Sequence, residues 1–152
     1  MMKYLRSLFL LAILTSCSKD EPVATVKVPS GYLYKVEPAI SGKTAYICGE
    51  RPFNDTGALV GGTDLGAQTR QVFDNVKTSL ATVGMSLTDV TQVTYSIKEA
   101  AGVTQVSVSK LETVKAIEAT YFAKTPSIVT AKAVSQTTRE DVLIEVEVIA
   151  IK

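Results

Sequence analysis

Histidine is absent from the 152-residue chain, and cysteine occurs only twice, at Cys17 and Cys48. Without histidine there is no Ser-His-Asp or Cys-His catalysis, no HExxH zinc site and no imidazole ligation of a metal. Two cysteines build neither a disulfide framework nor a four-thiolate zinc site. No metal site is expected, and nothing in the sequence asks for a cofactor. A charge surplus is missing too: sixteen Lys and Arg face fifteen Asp and Glu, a formal +1. A nucleic-acid binder would normally carry a basic surplus or stripe, so nucleic acid is not an expected partner. The apolar run Leu8 to Leu14 falls far short of the ~20 residues that span a bilayer. What is present is 46% hydrophobic residues and 20% charged ones. That suffices for one domain with a core of its own and, at this length, is too little for two.

The two ends of the chain differ in kind. Lys3 and Arg6 precede the apolar run, small residues follow it, and Leu14-Thr15-Ser16-Cys17 has the form of a lipobox. It resembles the processing site of bacterial lipoproteins, with cleavage before Cys17 and acylation of that cysteine. The expected organisation is a signal over residues 1–16, a lipidated tether over 17–30 and a folded domain over 31–152. Losing Lys3 and Arg6 would turn the formal +1 into −1. Ser18-Lys19-Asp20-Glu21 resembles the short acidic export signal of some Gram-negative surface lipoproteins, and Pro22 to about Pro29 reads as a linker. The expected location is the bacterial cell envelope, at the outer membrane or cell surface, with membrane contact through the lipid alone.

From Gly31 onward the periodicity alternates between strand and helix. Gly31–Val36 and Thr44–Gly49 read as strands, with Asn54-Asp55-Thr56-Gly57 as the turn signal beyond them. Thr63–Val83 reads as a helix capped by Thr63 and ended by Gly84, with Leu65, Val72, Phe73, Val76 and Leu80 on one face. Val90–Lys98 is a third strand. After a loop from Glu99, a capping box of Ser109 and Glu112 predicts a second helix carrying Leu111, Val114, Ile117 and Tyr121. Ser127–Ser135 and Val142–Ile151 are the last two strands, joined by an expected hairpin at Gln136–Asp141 in which Arg139 would be solvated. The order ββαβαββ predicts an α+β domain, one sheet with two helices on one face.

Three motif fragments carry nothing. Ser41-Gly42-Lys43-Thr44 ends like a P-loop, but Glu37 stands where the first glycine belongs and a strand follows instead of a helix. Gly57, Gly61 and Gly62 lack the dinucleotide-binding spacing. Asn54-Asp55-Thr56 fits a glycosylation acceptor of little meaning in a bacterial lipoprotein.

The stretch Gly57–Val60 through Gln68-Thr69-Arg70-Gln71-Val72-Phe73-Asp74-Asn75-Val76 resembles the signature helix of the Rid family, the reactive intermediate deaminases once called L-PSP endoribonucleases. Leu80, Gly84, Leu87, Asp89 and Val90 continue the match, as do Thr125-Pro126 and the closing run Ile144–Ala150. The resemblance implies a chorismate-mutase-like fold, a homotrimeric barrel and ligand clefts between subunits. On the last strand, Leu143, Glu145, Glu147, Ile149 and Ile151 share the face away from the helices. Two carboxylates ~7 Å apart among apolar neighbours point to a partly buried interface rather than a plain solvated face.

Deaminating members of the family hydrolyse an imine or enamine of an amino acid, so a cation must hold the carboxylate and an acid or base must place water. The family arginine falls at Ile128, or at Thr130 in a register shifted by two. The resemblance makes Glu145 the catalytic candidate and places Tyr34 (or Tyr32), Cys48, Gly49, Lys115 and Ile128 around the ligand. Arg51, just past the second strand, is the substitute anion anchor, preferred to the more flexible Lys132. The expected function is a small carboxylate- or imine-like metabolite bound with weak or altered hydrolase chemistry. Two alternatives stand beside it: an active 2-iminoacid deaminase with a relocated cation, and a non-catalytic trimeric interaction module.

Overall fold

The computed structural model describes residues 32–39 and 42–152, with side chains from Thr44 onward. Cys17 and the expected signal and tether lie outside the described residues, as do the side chains of Tyr32 and Tyr34. Five strands, β1 (Tyr32–Ala39), β2 (Gly42–Glu50), β3 (Val90–Lys98), β4 (Ile128–Val134) and β5 (Ile144–Ile151), form one sheet in the order β1-β2-β5-β3-β4. Helices α1 (Leu65–Thr82) and α2 (Val108–Tyr121) cover one face. The architecture is the expected α+β one. β1 runs three residues further than predicted, through Glu37↔Thr44, Pro38↔Lys43 and Ala39↔Gly42. An edge strand tolerates Pro38 because one side of its backbone needs no ladder partner.

Alternation sorts the sheet into two faces. Ala45, Ile47, Val93, Tyr95, Ile97, Ile144, Val146, Val148 and Ala150 are buried against the helices. Phe73 of α1 sits at the centre, its ring edge-on to Tyr95 at 6.2 Å and to Phe122 at 5.5 Å, and tilted against Tyr121 at 5.1 Å. Aromatic clusters of this geometry add to the energy of plain area burial. The opposite face, with Tyr46, Cys48, Glu147 and Ile151, is open.

Three local expectations are corrected. Asp64, and not Thr63, caps α1: its carboxylate accepts from the Gly66 and Ala67 amides at 2.8 and 3.1 Å, two charge-assisted bonds that a hydroxyl cannot match. The second helix begins at Val108 behind Ser107, so Ser109 and Glu112 lie inside it. The Ser107 amide and hydroxyl both donate to Glu99 Oε1 at 2.9 Å, which fixes the entry from a distance in sequence. The segment joining the last strands is no hairpin. β4 pairs with β3 in parallel while β5 pairs with β3 antiparallel, so β3 lies between them and residues 135–143 cross over its end.

Candidate functional site

The site begins with a break in the ladder between β2 and β5. Ile47 pairs with Val148 but Glu50 pairs with Val146, so Cys48 and Gly49 together oppose the single residue Glu147. This is a β-bulge, and Gly49 supplies its positive φ of 74°. The bulge re-aims the strand exit. Arg51 follows immediately, and its Nε donates to Gly49 O at 3.2 Å. One residue beyond the Glu50–Val146 pair, Arg51 and Glu145 occupy neighbouring places at the end of the ladder. The proposed cation just past β2 and the proposed acid on β5 therefore flank the last printed pair of the ladder.

Glu145 is half-buried and held from the crossover. The Thr138 amide donates to its Oε1 at 2.8 Å, and the Thr138 hydroxyl donates to the same oxygen. Arg139 is exposed, as the sequence suggests, and it has partners at the surface. It forms a two-bond pair with Asp141, at 2.5 and 2.8 Å, and its guanidinium lies 4.8 Å from the centre of the Phe53 ring. Beside Thr138, a polar cavity of about 540 Å³ opens between Lys98, Glu99 and the crossover residues Gln136, Thr137 and Glu140.

Two buried polar residues of α1 anchor both borders of the site. Gln68 is fully buried. Its amide donates to Gly62 O at 2.5 Å and Asp141 O at 2.8 Å, and its oxygen accepts from the Leu143 amide at 2.7 Å. Asn75, two turns on, donates to Arg51 O and Phe53 O, each at 2.8 Å. Sequence reasoning used both residues as motif letters and missed their task. The available signal was their place on the apolar stripe with Val72 and Val76, where an amide is costly unless fully bonded.

Glu50 belongs to no motif, and its position was not expected to matter. Its carboxyl is fully buried behind the bulge. Oε1 accepts from the Arg51 amide at 3.3 Å and Oε2 from the Ser79 hydroxyl at 3.4 Å. Burial pushes this carboxyl above the usual range, outweighing the Arg51 amide, Asn75, Ser79 and the charge of Arg51, all of which pull it down.

The remaining expected residues divide between two sides of the sheet. Cys48 is exposed on the open face, where Tyr46, Gln92, Thr94, Glu147 and Ile149 enclose a depression of about 170 Å³ with it. Ile128 shares that face and is 54% exposed, level with Gln92 and Ile149. Lys132 stands level with Ser96 and Glu145, two strands away from the carboxylate. Lys115 is not brought to them. It lines a pocket of about 340 Å³ between α2 and β4 with Glu118 and Val129, and Val129 points to the side of β4 opposite Ile128. In that pocket's wall the Tyr95 hydroxyl donates to Glu118 Oε2 at 2.7 Å, and burial and the neighbouring carboxylate raise the phenol far above its usual range. Among the described residues, no three His, Cys, Asp or Glu side chains converge as metal ligands.

The sequence model of the Endoribonuclease L-PSP family matches residues 30–152. A RutC family protein from Pyrococcus horikoshii is 35% identical over 113 residues, covering 74% of this chain and 82% of its own. The chain belongs to the L-PSP, or Rid, family. Among solved structures, a Rid family protein of Yersinia pestis is 31% identical with a TM-score of 0.65, over 76% of this chain and 83% of that one. A putative endoribonuclease from Thermotoga maritima is 30% identical with the same TM-score of 0.65, over 84% and 94%. In this Rid chain, the signature helix acts as a polar clamp as well as a core element: Gln68 fixes the crossover and Asn75 fixes the exit of β2.

Proposed function

We propose that the chain is a Rid-family lipoprotein, acylated on Cys17, that binds a small carboxylate- or imine-like metabolite in clefts between three copies of itself. Imine or enamine hydrolysis in those clefts is weak or altered. The observation that carries this reading is Ile128, an apolar side chain 54% exposed on the open sheet face at the position where the family resemblance calls for an arginine. Loss of a bidentate, charge-assisted contact to a carboxylate costs on the order of 2–5 kcal/mol, a factor of about thirty to several thousand in binding or rate. Tyr46 at 38% and Ile151 at 53% exposure leave apolar area on the same face, which supports burial against a second copy. The lipobox supports anchoring in the cell envelope of a Gram-negative bacterium, at the outer membrane or cell surface.

A second reading is favoured by Arg51. Its place beside Glu145 suits a relocated cation in a working 2-iminoacid deaminase. Ammonia release, with the enamine generated in situ by a lyase or oxidase, separates the two. Weak turnover that rises in Ile128→Arg supports the first reading. Brisk turnover lost in Arg51→Ala supports the second. Light scattering of the full chain without lipid tests the trimer, and a monomer with native circular dichroism would refute the intersubunit cleft.

A further inference from the structure

The helices cover the centre of the sheet and leave the edge strand β4 partly bare. Val93 of β3 is fully buried, whereas Val129, its register partner on β4, is 37% exposed on the same side. The gap between α2 and β4 is the pocket of about 340 Å³ that Phe122, Val129, Ala119 and Thr125 line together with Lys115 and Glu118. Its lining is mostly apolar, and its volume is at the low end for small-molecule sites.

Glu118 is out of place there. It follows Ile117 on the buried side of α2 and is 7% exposed. A carboxylate taken that far out of water needs a counter-charge or a full set of donors. It has one donor, the Tyr95 hydroxyl, on Oε2 at 2.7 Å. Among the described residues, no group donates to Oε1 and no cation pairs with Glu118. No fully enclosed side-chain oxygen of those residues lacks a partner, so Oε1 still reaches open space, and the pocket is the space that Glu118 lines. Lys115, one turn earlier on the same helix face, is exposed and lines the pocket too, without pairing with the acid. One cavity thus holds a buried acid without a counter-charge, an apolar bed with one aromatic ring, and an exposed cation.

We propose that this pocket binds an α-amino acid with a small aliphatic side chain, its ammonium on Glu118 and its carboxylate on Lys115. The ammonium donates to Oε1, a charge-assisted bond that also supplies the missing counter-charge. The aliphatic side chain lies against Phe122 and Val129. Burial ranks the two charges. Glu118 decides whether an amine binds, and Lys115, a point charge on a flexible stem, favours the zwitterion over a plain amine. Val129 faces the opposite side of β4 from Ile128, so this is a second site, independent of the carboxylate clefts proposed above.

The test is calorimetric titration of the full chain, in detergent, with L-norvaline, butylammonium and 2-oxopentanoate, each followed by methyl NMR of Val129. Norvaline should bind and shift the Val129 methyls. Butylammonium should do the same about threefold more weakly, the worth of an exposed ion pair. 2-Oxopentanoate, whether or not it binds in the clefts, should leave those methyls unmoved. Glu118→Gln keeps an acceptor for Tyr95 but no charge, and should weaken both amines at least about tenfold. Lys115→Ala should bring norvaline down to the level of butylammonium and not weaken butylammonium itself. If Glu118→Gln does not fold, Ala119→Phe fills the pocket from the exposed side of α2 with the acid intact, and should abolish both titrations. Amine binding unchanged in Glu118→Gln or Ala119→Phe, or no Val129 shift with either amine, would overturn the site. Val129 shifts caused by 2-oxopentanoate and lost in Lys115→Ala would make it an anion site and overturn the ammonium assignment.

Discussion

Replacing Gln68 tests the idea that α1 clamps the crossover. The side chain is fully buried and satisfies three backbone groups: Gly62 O, Asp141 O and the Leu143 amide. In Gln68→Met the volume is kept and all three bonds are lost. A buried polar group left without a partner costs about 1–3 kcal/mol. Part of that is recovered because residues 61–62 and 141 lie near solvent and can rebond to water, so the expected loss is about 3–5 kcal/mol. Against a total stability of roughly 5–15 kcal/mol this is large. It should move the urea midpoint by about 2 M for a slope near 2 kcal/mol per M. Gln68→Ala should cost more, since a cavity is added to the lost bonds. The measurement is equilibrium unfolding at fixed protein concentration, because any association makes the midpoint concentration-dependent. Amide exchange at Leu143 should accelerate in the same variants. A loss under 1 kcal/mol in both, with Leu143 still protected, would show that the crossover holds its shape without the helix.

Three further outcomes are expected. The Glu99 carboxyl is held down to about 2 by the Ser107 amide first and Lys110 second, so its stabilisation is present above the ordinary value of 4.5 and lost as pH falls toward 2. Amide exchange at Ser107 should rise across that window, and Glu99→Gln should abolish the pH dependence. Tyr95→Phe leaves the buried Glu118 carboxylate without its 2.7 Å donor and should cost about 1–3 kcal/mol by thermal or urea unfolding; a neutral effect would mean that water already serves Glu118. Mass spectrometry of membrane-extracted protein should find an acylated Cys17 peptide, and an unmodified amino terminus would end the lipoprotein reading.

The periodic elements were legible in the sequence because burial and alternation agree along them. Val93, Tyr95 and Ile97 face in as expected, and so do Val142, Ile144, Val146, Val148 and Ala150. What escaped was non-local. The parallel pairing of β4 with β3 cannot be read from either strand, so a crossover looked like a hairpin. Ser107 starts α2 because Glu99, eight residues earlier, receives it. The inward turn of Glu50 escaped for a different reason. Ala45 and Ile47 set a period of two that would carry position 49 inward, and the Cys48-Gly49 bulge advances the count by one. The neighbourhood of Arg51 and Glu145 follows from the same bulge, whereas Lys115 and Ile128 could be seen to part only once α2 was placed over Val129.

The spacing of Gln68 and Asn75 has a mechanical side. Seven residues of helix rise about 10.5 Å, so the exit of β2 and the crossover are fastened to one stiff rod at two points. Neither border can swing without dragging the rod through the packed aromatic cluster around Phe73. Under the proposed function, a recess framed in this way would select a ligand by fit and charge, not by folding over it. The rest of the rim is the 99–107 loop, which neither amide holds and which Glu99 ties to Ser107 and Lys110. A change of guest during evolution is therefore easiest through the length and make-up of that loop, while the helix and its two amides stay as they are.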